Sequence, residues 1–343
     1  MKALKLTGPN QFEYTDEPMP EVKPDEALIR VKAVGICGSD FHGASGKSGR
    51  RIPPIIMGHE AAGVIESAGR AVLGFKPGDR VTFDSTIYCN KCRFCQQGRI
   101  NLCDNRRILG VSTNEYRQNG AMAEYVSVPE HILYPIPDSM LFEHAAMIEP
   151  LSVAVHAANL TPVLINESCA IIGTGVIGLL VVQAMKIKGC GKIFAIDIDE
   201  ERLALAKKFG ADETCNPRNE DVVQKILELT DGVGADTALE AVGIEKTMNT
   251  AIDIVKKGGR VTLVGNLSPE IKVYPQRIVT RELIITGSMA SRGEYPACID
   301  LIASGRIHVE PLINKVAPLS EGAKWFAVLA EGRQKLLKVI LQP

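Results

Sequence analysis

The 343-residue sequence has almost no net charge: 39 Lys and Arg stand against 40 Asp and Glu, a balance of −1. That excludes a global electrostatic footprint for nucleic acid or an anionic membrane surface, and a small molecule is the expected partner. Long apolar runs are missing too. The longest uncharged stretch, 168–185, falls short of the ~20 apolar residues of a spanning helix, and Gly173, Gly175 and Gly178 interrupt it. It reads as buried soluble structure, with no membrane contact. The opening Met-Lys-Ala-Leu-Lys-Leu-Thr-Gly-Pro carries no apolar core of a secretory signal, so a cytoplasmic location is expected. Structural disulfides are rare there. The nine cysteines therefore call for another explanation, and metal binding is the first. Internal repeats, low-complexity segments and an obvious flexible linker are also lacking.

What is present suits an ordinary globular chain: 45% hydrophobic and 23% charged residues. At ~100–200 residues per domain, two domains are expected. The first ~150 residues are turn-rich and strand-like. Strands are expected at 27–34 and 61–68, with Lys76-Pro77-Gly78-Asp79 as turn punctuation. From Cys169 onward, short apolar runs alternate with helical periods. The expected strands are 169–172, 193–197, 213–215, 237–240, 260–264 and 283–286; the helices are 176–187, 200–209, 221–229 and 244–255. Gly210 stands where a helix C-terminal glycine belongs. Fully apolar strands alternating with helices imply an α/β domain whose parallel sheet is covered on both faces. Six such strands fit a doubly wound nucleotide fold. The alternation stops after Gly287, and the tail is too small for a third domain, so it is expected to complete the first.

Gly173-Thr174-Gly175-Val176-Ile177-Gly178 is a Gly-x-Gly-x-x-Gly turn between an expected strand and an expected helix. Alone the pattern is weak, and its setting carries it. Gly173 permits the tight turn, Gly175 lets the backbone approach a pyrophosphate, and Gly178 lets the helix pack on the sheet. The helix N-terminus, at Val176 and Ile177, offers N–H groups to the phosphates. Asp197 follows Gly173 by 24 residues, near the ~20 expected of the acid that accepts the ribose hydroxyls. A carboxylate there repels a 2′-phosphate and favours NAD over NADP. Arg202 is placed to lie against the adenine. The blander reading of Asp197 and Asp199 is a pair of helix-capping acids, which suits Asp199.

Cys89, Cys92, Cys95 and Cys103 give the spacing C-x2-C-x2-C-x7-C. Four thiolates this close can wrap a tetrahedral ion. An iron–sulfur cluster and a redox pair are the competitors. The ferredoxin run ends C-x3-C-P, which this does not, and a redox pair leaves two cysteines unexplained. A closed structural zinc site has no open position and does no chemistry.

Other potential ligands are scattered: Cys37 in Gly-Ile-Cys-Gly-Ser-Asp, His59 and Glu60 in Met-Gly-His-Glu, and Glu149 in Met-Ile-Glu-Pro. Singly, each has a plain structural reading: a small buried thiol, a hydrogen-bonded imidazole, a helix-start acid. Spacing alone does not join them.

These segments, the cysteine lobe, Ile148-Glu149-Pro150-Leu151-Ser152-Val153 and the glycine turn, in this order, resemble the zinc-dependent medium-chain alcohol/polyol dehydrogenases over nearly the whole chain. The sorbitol dehydrogenase branch is most similar in the Ile-Glu-Pro-Leu-Ser-Val segment. Galactitol-phosphate dehydrogenases are similar in Asp197-Ile198-Asp199 and the helix after it. The resemblance implies a Rossmann domain at 154–287 and a β-rich GroES-like catalytic domain from 1–153 and 288–343. It implies a catalytic zinc on Cys37, His59 and either Glu60 or Glu149, with Glu60 the expected ligand and Glu149 on the metal or its water, besides the structural zinc. It also implies homodimers or homotetramers. The implied reaction oxidises a secondary alcohol of a polyol, sugar acid or polyol phosphate to a ketone, with hydride transfer to NAD. Ser39 resembles the family's proton-relay hydroxyl, passing a proton by way of the nicotinamide ribose to His42. Plain readings are a turn-capping hydroxyl for Ser39 and a surface residue for His42.

The sorbitol branch carries an Arg-Tyr pair after the last nucleotide-domain strand. Here the sequence reads Met289-Ala290-Ser291-Arg292, with Tyr295 further on, a departure from a free-sorbitol site. Lys47, Arg50 and Arg51 form a basic cluster that reads either as a grip on a phosphate or carboxylate or as a solvated loop. Two other functions stand beside the main one: an L-threonine 3-dehydrogenase-like enzyme, and a non-catalytic dinucleotide-binding regulatory protein. Intact Cys37, His59, Glu60 and Glu149 weigh against the second.

Overall fold

The computed structural model describes residues 1–46, 49–113, 117–332 and 335–343. The chain divides into two units, one of Met1–Glu149 with Arg292–Pro343 and one of Pro150–Ser291.

The first unit is built on antiparallel strands. Glu26–Gly35 is its spine, pairing Glu60–Ala68, Tyr125–Pro129 and Lys338–Gln342. The last of these comes from the tail, which continues the sheet by a parallel pairing with Ile313–Pro318. Alternating apolar residues face one core that includes Ile29, Val31, Phe83, Ile132, Phe326 and Leu341. Burying such side chains contributes about 1.5–3 kcal/mol each. The tail thus supplies both sheet and core to the first unit. Close approach of the spine and Glu60–Ala68 demands a glycine: a Cβ on Gly63 would sit 2.2 Å from the Arg30 carbonyl.

The second unit is a six-stranded, wholly parallel sheet. Across the sheet the strands are Glu213–Cys215, Lys192–Ile196, Ser168–Ile172, Ala235–Glu240, Val255–Leu263 and Ile284–Gly287. In chain order that is 3-2-1-4-5-6, the doubly wound Rossmann order. Helices Val176–Ile187, Glu200–Lys208, Val222–Leu229 and Glu245–Ile254 fall between the strands. Asp199 and Asp221 cap two of them through their side chains. Gly210 takes φ +107 just past a helix end, a conformation open to glycine. Among the described residues, no helix is long and apolar enough to cross a membrane.

Candidate active site and zinc centres

In the first unit, Cys37, His59 and Glu60 place their ligand atoms within 4.8 Å of one another, although the sequence scatters them. Cys37 lies two residues past the end of the spine strand, at the N-cap of the short helix Gly38–Ala44. Glu60 opens the neighbouring strand, and the antiparallel register sets it opposite Gly35. His59 and Glu60 are buried.

Asp40 ties this group together. Its Oδ2 accepts the Cys37 N–H (3.3 Å) and its Oδ1 lies 3.5 Å from His59 Nδ1. Arg51 is paired with the same Oδ1, at 2.9 Å from Nη2 and 3.3 Å from Nε. Glu60 has its own cation: Lys338 Nζ lies 2.5 Å from its Oε2, and both side chains are at most 3% exposed. Ser39 donates to Cys37 Sγ (3.3 Å). Glu149, in the first turn of Ile148–Leu160, accepts from Ser85 Oγ (3.0 Å) and is buried. It stands outside the 4.8 Å group.

The electrostatics describe a buried site short of a cation. Burial works against a charge on His59, yet Asp40, Cys37 and Glu149 together push its pKa up to about 10. Burial, joined by Glu60, pushes Glu149 up to about 6 against the pull of His59, Ser85 and Lys338. A divalent ion held here would supply the missing charge in place of the imidazole proton. A thiol, an imidazole and a carboxylate form a suitable donor set for zinc with a position left open. His42 is exposed on the same helix as Ser39, and partial burial lowers its pKa, so it is neutral near pH 7 and able to accept a proton.

Cys89, Cys92, Cys95 and Cys103 likewise bring their sulfurs within 4.8 Å. N–H groups point at them: Cys89 N and Asn105 N each lie 3.3 Å from Cys103 Sγ, and Cys92 N lies 3.4 Å from Cys89 Sγ. Backbone donors, led by Lys91, lower Cys89 to about 6, while burial raises Cys95 to about 12. Four thiolates cannot share this space without a cation, and tetrahedral zinc fits the donor set.

The three glycines of the turn in the second unit have different surroundings. Gly173 takes φ +88. A Cβ on Gly178 would lie 1.8 Å from the Gly173 carbonyl, whereas one on Gly175 meets nothing within 4 Å. Val176 and Ile177 open the helix. Asp197, at the end of the next strand, is half-buried; its Oδ2 accepts from Thr174 N (2.7 Å) and its Oδ1 from Asp199 N (3.0 Å). Each oxygen keeps a second lone pair for a ribose hydroxyl. Arg202 leaves its Nε buried and without a hydrogen-bond partner.

Two substrate expectations change. Arg51 is buried on Asp40, so it is unavailable to grip a substrate phosphate, and Lys47 lies outside the described residues. Arg292 donates to the Gly98 carbonyl (3.0 Å), beside the cysteine cage. Lys338, Ser85 and the Arg51–Asp40 pair carried no assigned role from sequence. The one available signal for Lys338 was a lone cation heading an apolar final strand, Lys-Val-Ile-Leu.

A GroES-like domain joined to a doubly wound parallel sheet is the medium-chain dehydrogenase/reductase class of fold. The alcohol dehydrogenase GroES-like domain matches residues 23–138, and the zinc-binding dehydrogenase family matches residues 176–304. The sorbitol dehydrogenase of Bacillus subtilis is 35% identical over 347 residues, covering 100% of this chain and 97% of that protein. The D-arabitol-phosphate dehydrogenase of Enterococcus avium is 35% identical, at the same coverage. The galactitol-1-phosphate dehydrogenase structure from Escherichia coli superposes with a TM-score of 0.92 at 30% identity, covering all of both chains. The chain belongs to the zinc-type alcohol and polyol dehydrogenase family, and is an oxidoreductase of the alcohol dehydrogenase kind.

Proposed function

We propose that this enzyme oxidises a secondary alcohol of a polyol, sugar acid or polyol phosphate to a ketone, using a catalytic zinc and NAD. The observation that carries the reading is the Cys37–His59–Glu60 group, with His59 and Glu60 buried and Cys37 half-buried, anion-rich and able to take a divalent ion. Cys37, His59 and Glu60 would hold the catalytic zinc, with Glu149 facing the metal or its water, and Cys89, Cys92, Cys95 and Cys103 a structural zinc. When bound, zinc acidifies the substrate hydroxyl and the nicotinamide accepts the hydride. Asp40 orients His59. Ser39 accepts the substrate's hydroxyl proton as it turns its own hydrogen away from Cys37 Sγ and releases it along the relay, and His42, neutral at pH 7, receives a proton near solvent. In the second unit Gly173, Gly175, Val176, Ile177 and Gly178 receive the pyrophosphate, Asp197 the ribose hydroxyls and Arg202 the adenine. Asp197 favours NAD over NADP, since a 2′-phosphate would face its carboxylate.

The substrate class follows the relatives, which include sorbitol and arabitol-phosphate dehydrogenases and the L-idonate 5-dehydrogenase of Vitis vinifera. The subunits are read as homo-oligomers. Strand Ile284–Gly287 ends its sheet with one edge unpaired, and Ile284 and nearby Val279 are 58% and 72% exposed. An apolar open edge invites a second copy.

The test is NADH formation at 340 nm across polyols, polyol phosphates, aldonates and L-threonine, comparing the protein with Cys37→Ala. Polyol-type turnover that disappears in the mutant is expected. Activity on threonine alone would move the enzyme to another substrate class, and undiminished activity in the mutant would remove the catalytic zinc.

A further inference from the structure

Arg51 is 4% exposed and makes four polar contacts. Nη2 and Nε donate to Asp40 Oδ1 at 2.9 and 3.3 Å, Nη2 reaches Ser39 Oγ at 3.4 Å, and Nη1 reaches the Arg50 carbonyl at 3.4 Å. A buried ion pair is poor value for stability alone, because desolvation of both charges offsets most of the attraction. This one sits where two arms of the metal group meet. Asp40 Oδ1, which Arg51 holds, faces His59 Nδ1, and Asp40 Oδ2 anchors the Cys37 N–H. Ser39, which Arg51 also touches, hydrogen-bonds Cys37 Sγ.

The donor chemistry gives that contact a direction. A guanidinium has donors only. Ser39 Oγ must therefore accept from Arg51, which leaves its single hydrogen for Cys37 Sγ. A planar fork serves both partners at once, which a lysine's point charge does not.

We propose that Arg51 is a positioning residue for the catalytic metal, fixing His59 through Asp40 and the Cys37 thiolate through Ser39. The inference rests on the zinc reading above and extends it to a residue that touches neither metal nor substrate. Partners of metal ligands typically set metal affinity or activity by 10- to 100-fold.

The test is spectroscopic and independent of turnover. Cobalt(II) is loaded into the full-length protein, and the thiolate-to-cobalt band that Cys37→Ala abolishes is followed during competition with a chelator. Arg51→Met is expected to shift this band and weaken metal retention 10- to 100-fold. Arg51→Lys, which keeps the charge without the fork, is expected to recover part of the retention while the band stays displaced. In an Asp40→Asn background, Arg51→Met is expected to cost less than in wild type, because only the Ser39 contact is then left to lose. A wild-type band and retention in Arg51→Met, with only the melting temperature lowered, would overturn the proposal, and so would equal losses in both backgrounds. If Arg51→Met does not fold, a wild-type band in Arg51→Lys overturns it. A wild-type protein with no Cys37-dependent band would remove the metal reading itself, and the proposal with it.

Discussion

The carboxylate of Glu60 reaches across Gly35 to Lys338, 278 positions away in the chain, and the two charges meet at 2.5 Å in the protein interior. Gly35 pairs with Glu60 on one side and with Ile340 on the other, so it lies on the path between them. A Cβ there would stand 2.2 Å from Glu60 Oε2. Removing one member of a buried pair costs about 3–5 kcal/mol, because the other charge is left buried and alone. Lys338→Met is therefore expected to lower the stability of the zinc-free protein by about that amount. Gly35→Ala breaks the same contact from the middle. The double mutant should then fall well short of the sum of the two losses, since the changes share one interaction. Denaturant unfolding of the three variants checks it; simple additivity would mean that Gly35 and Lys338 act separately.

That contact also shows where sequence reading stops. Local chemistry was legible: the glycine turn, the cysteine cage and the strand–helix alternation each declare themselves within thirty residues or fewer. The apolar strands at 169–172 and 213–215 fall on observed ones for the same reason. Long-range pairing leaves no such trace. Nothing near Lys338 marks it as Glu60's partner, and the spacing of Cys37, His59 and Glu149 did not join them; family resemblance did. The basic cluster misled in the opposite direction. Arg51 reads as a surface cation until the fold brings Asp40 to it.

The glycine turn separates binding from folding. A methyl group at Gly175 meets no protein atom within 4 Å, so Gly175→Ala should leave the melting temperature within about 1–2 °C of wild type. It occupies the space through which a pyrophosphate approaches the backbone, and the dissociation constant for NADH is expected to rise at least about tenfold, or ~1.4 kcal/mol. At Gly178 the same methyl would lie 1.8 Å from a backbone carbonyl, and Gly178→Ala should destabilise the fold as well. Fluorescence titration with NADH and calorimetry on both variants distinguish the two. An unchanged affinity in Gly175→Ala would place the pyrophosphate elsewhere.

Each metal group predicts its own loss. Wild type is expected to hold two zinc ions per chain by elemental analysis, Cys37→Ala one, and Cys95→Ser one. The variants should differ in stability. A zinc ion on the four cysteines would be enclosed by them and would tie the lobe together, so Cys95→Ser should lower the melting temperature and expose that lobe to protease. Cys37→Ala should melt near wild type while losing turnover. If both variants kept two zinc ions, the two assignments would fail together.

Asp236 gives the second unit a measurable pH dependence. Burial works to raise its carboxyl, but Lys256 at 2.5 Å and the N–H and hydroxyl of Ser168 at 2.7 and 2.8 Å outweigh it, and the pKa falls below the ordinary 3.8. A depressed carboxyl stabilises the fold above its unfolded pKa, and that contribution is lost as the pH falls through the folded value. Asp236→Asn should thus cost about 1.5–3 kcal/mol at pH 7, the range for hydrogen bonds to a charged group. The gap between mutant and wild type should begin to close near pH 4 and shrink further below it. Unfolding curves for both proteins between pH 7 and pH 3 give the comparison. A gap that stays constant down to pH 3 would mean that the Asp236 charge contributes nothing and that the loss comes from putting an amide NH2 where Ser168 and Lys256 need an acceptor oxygen.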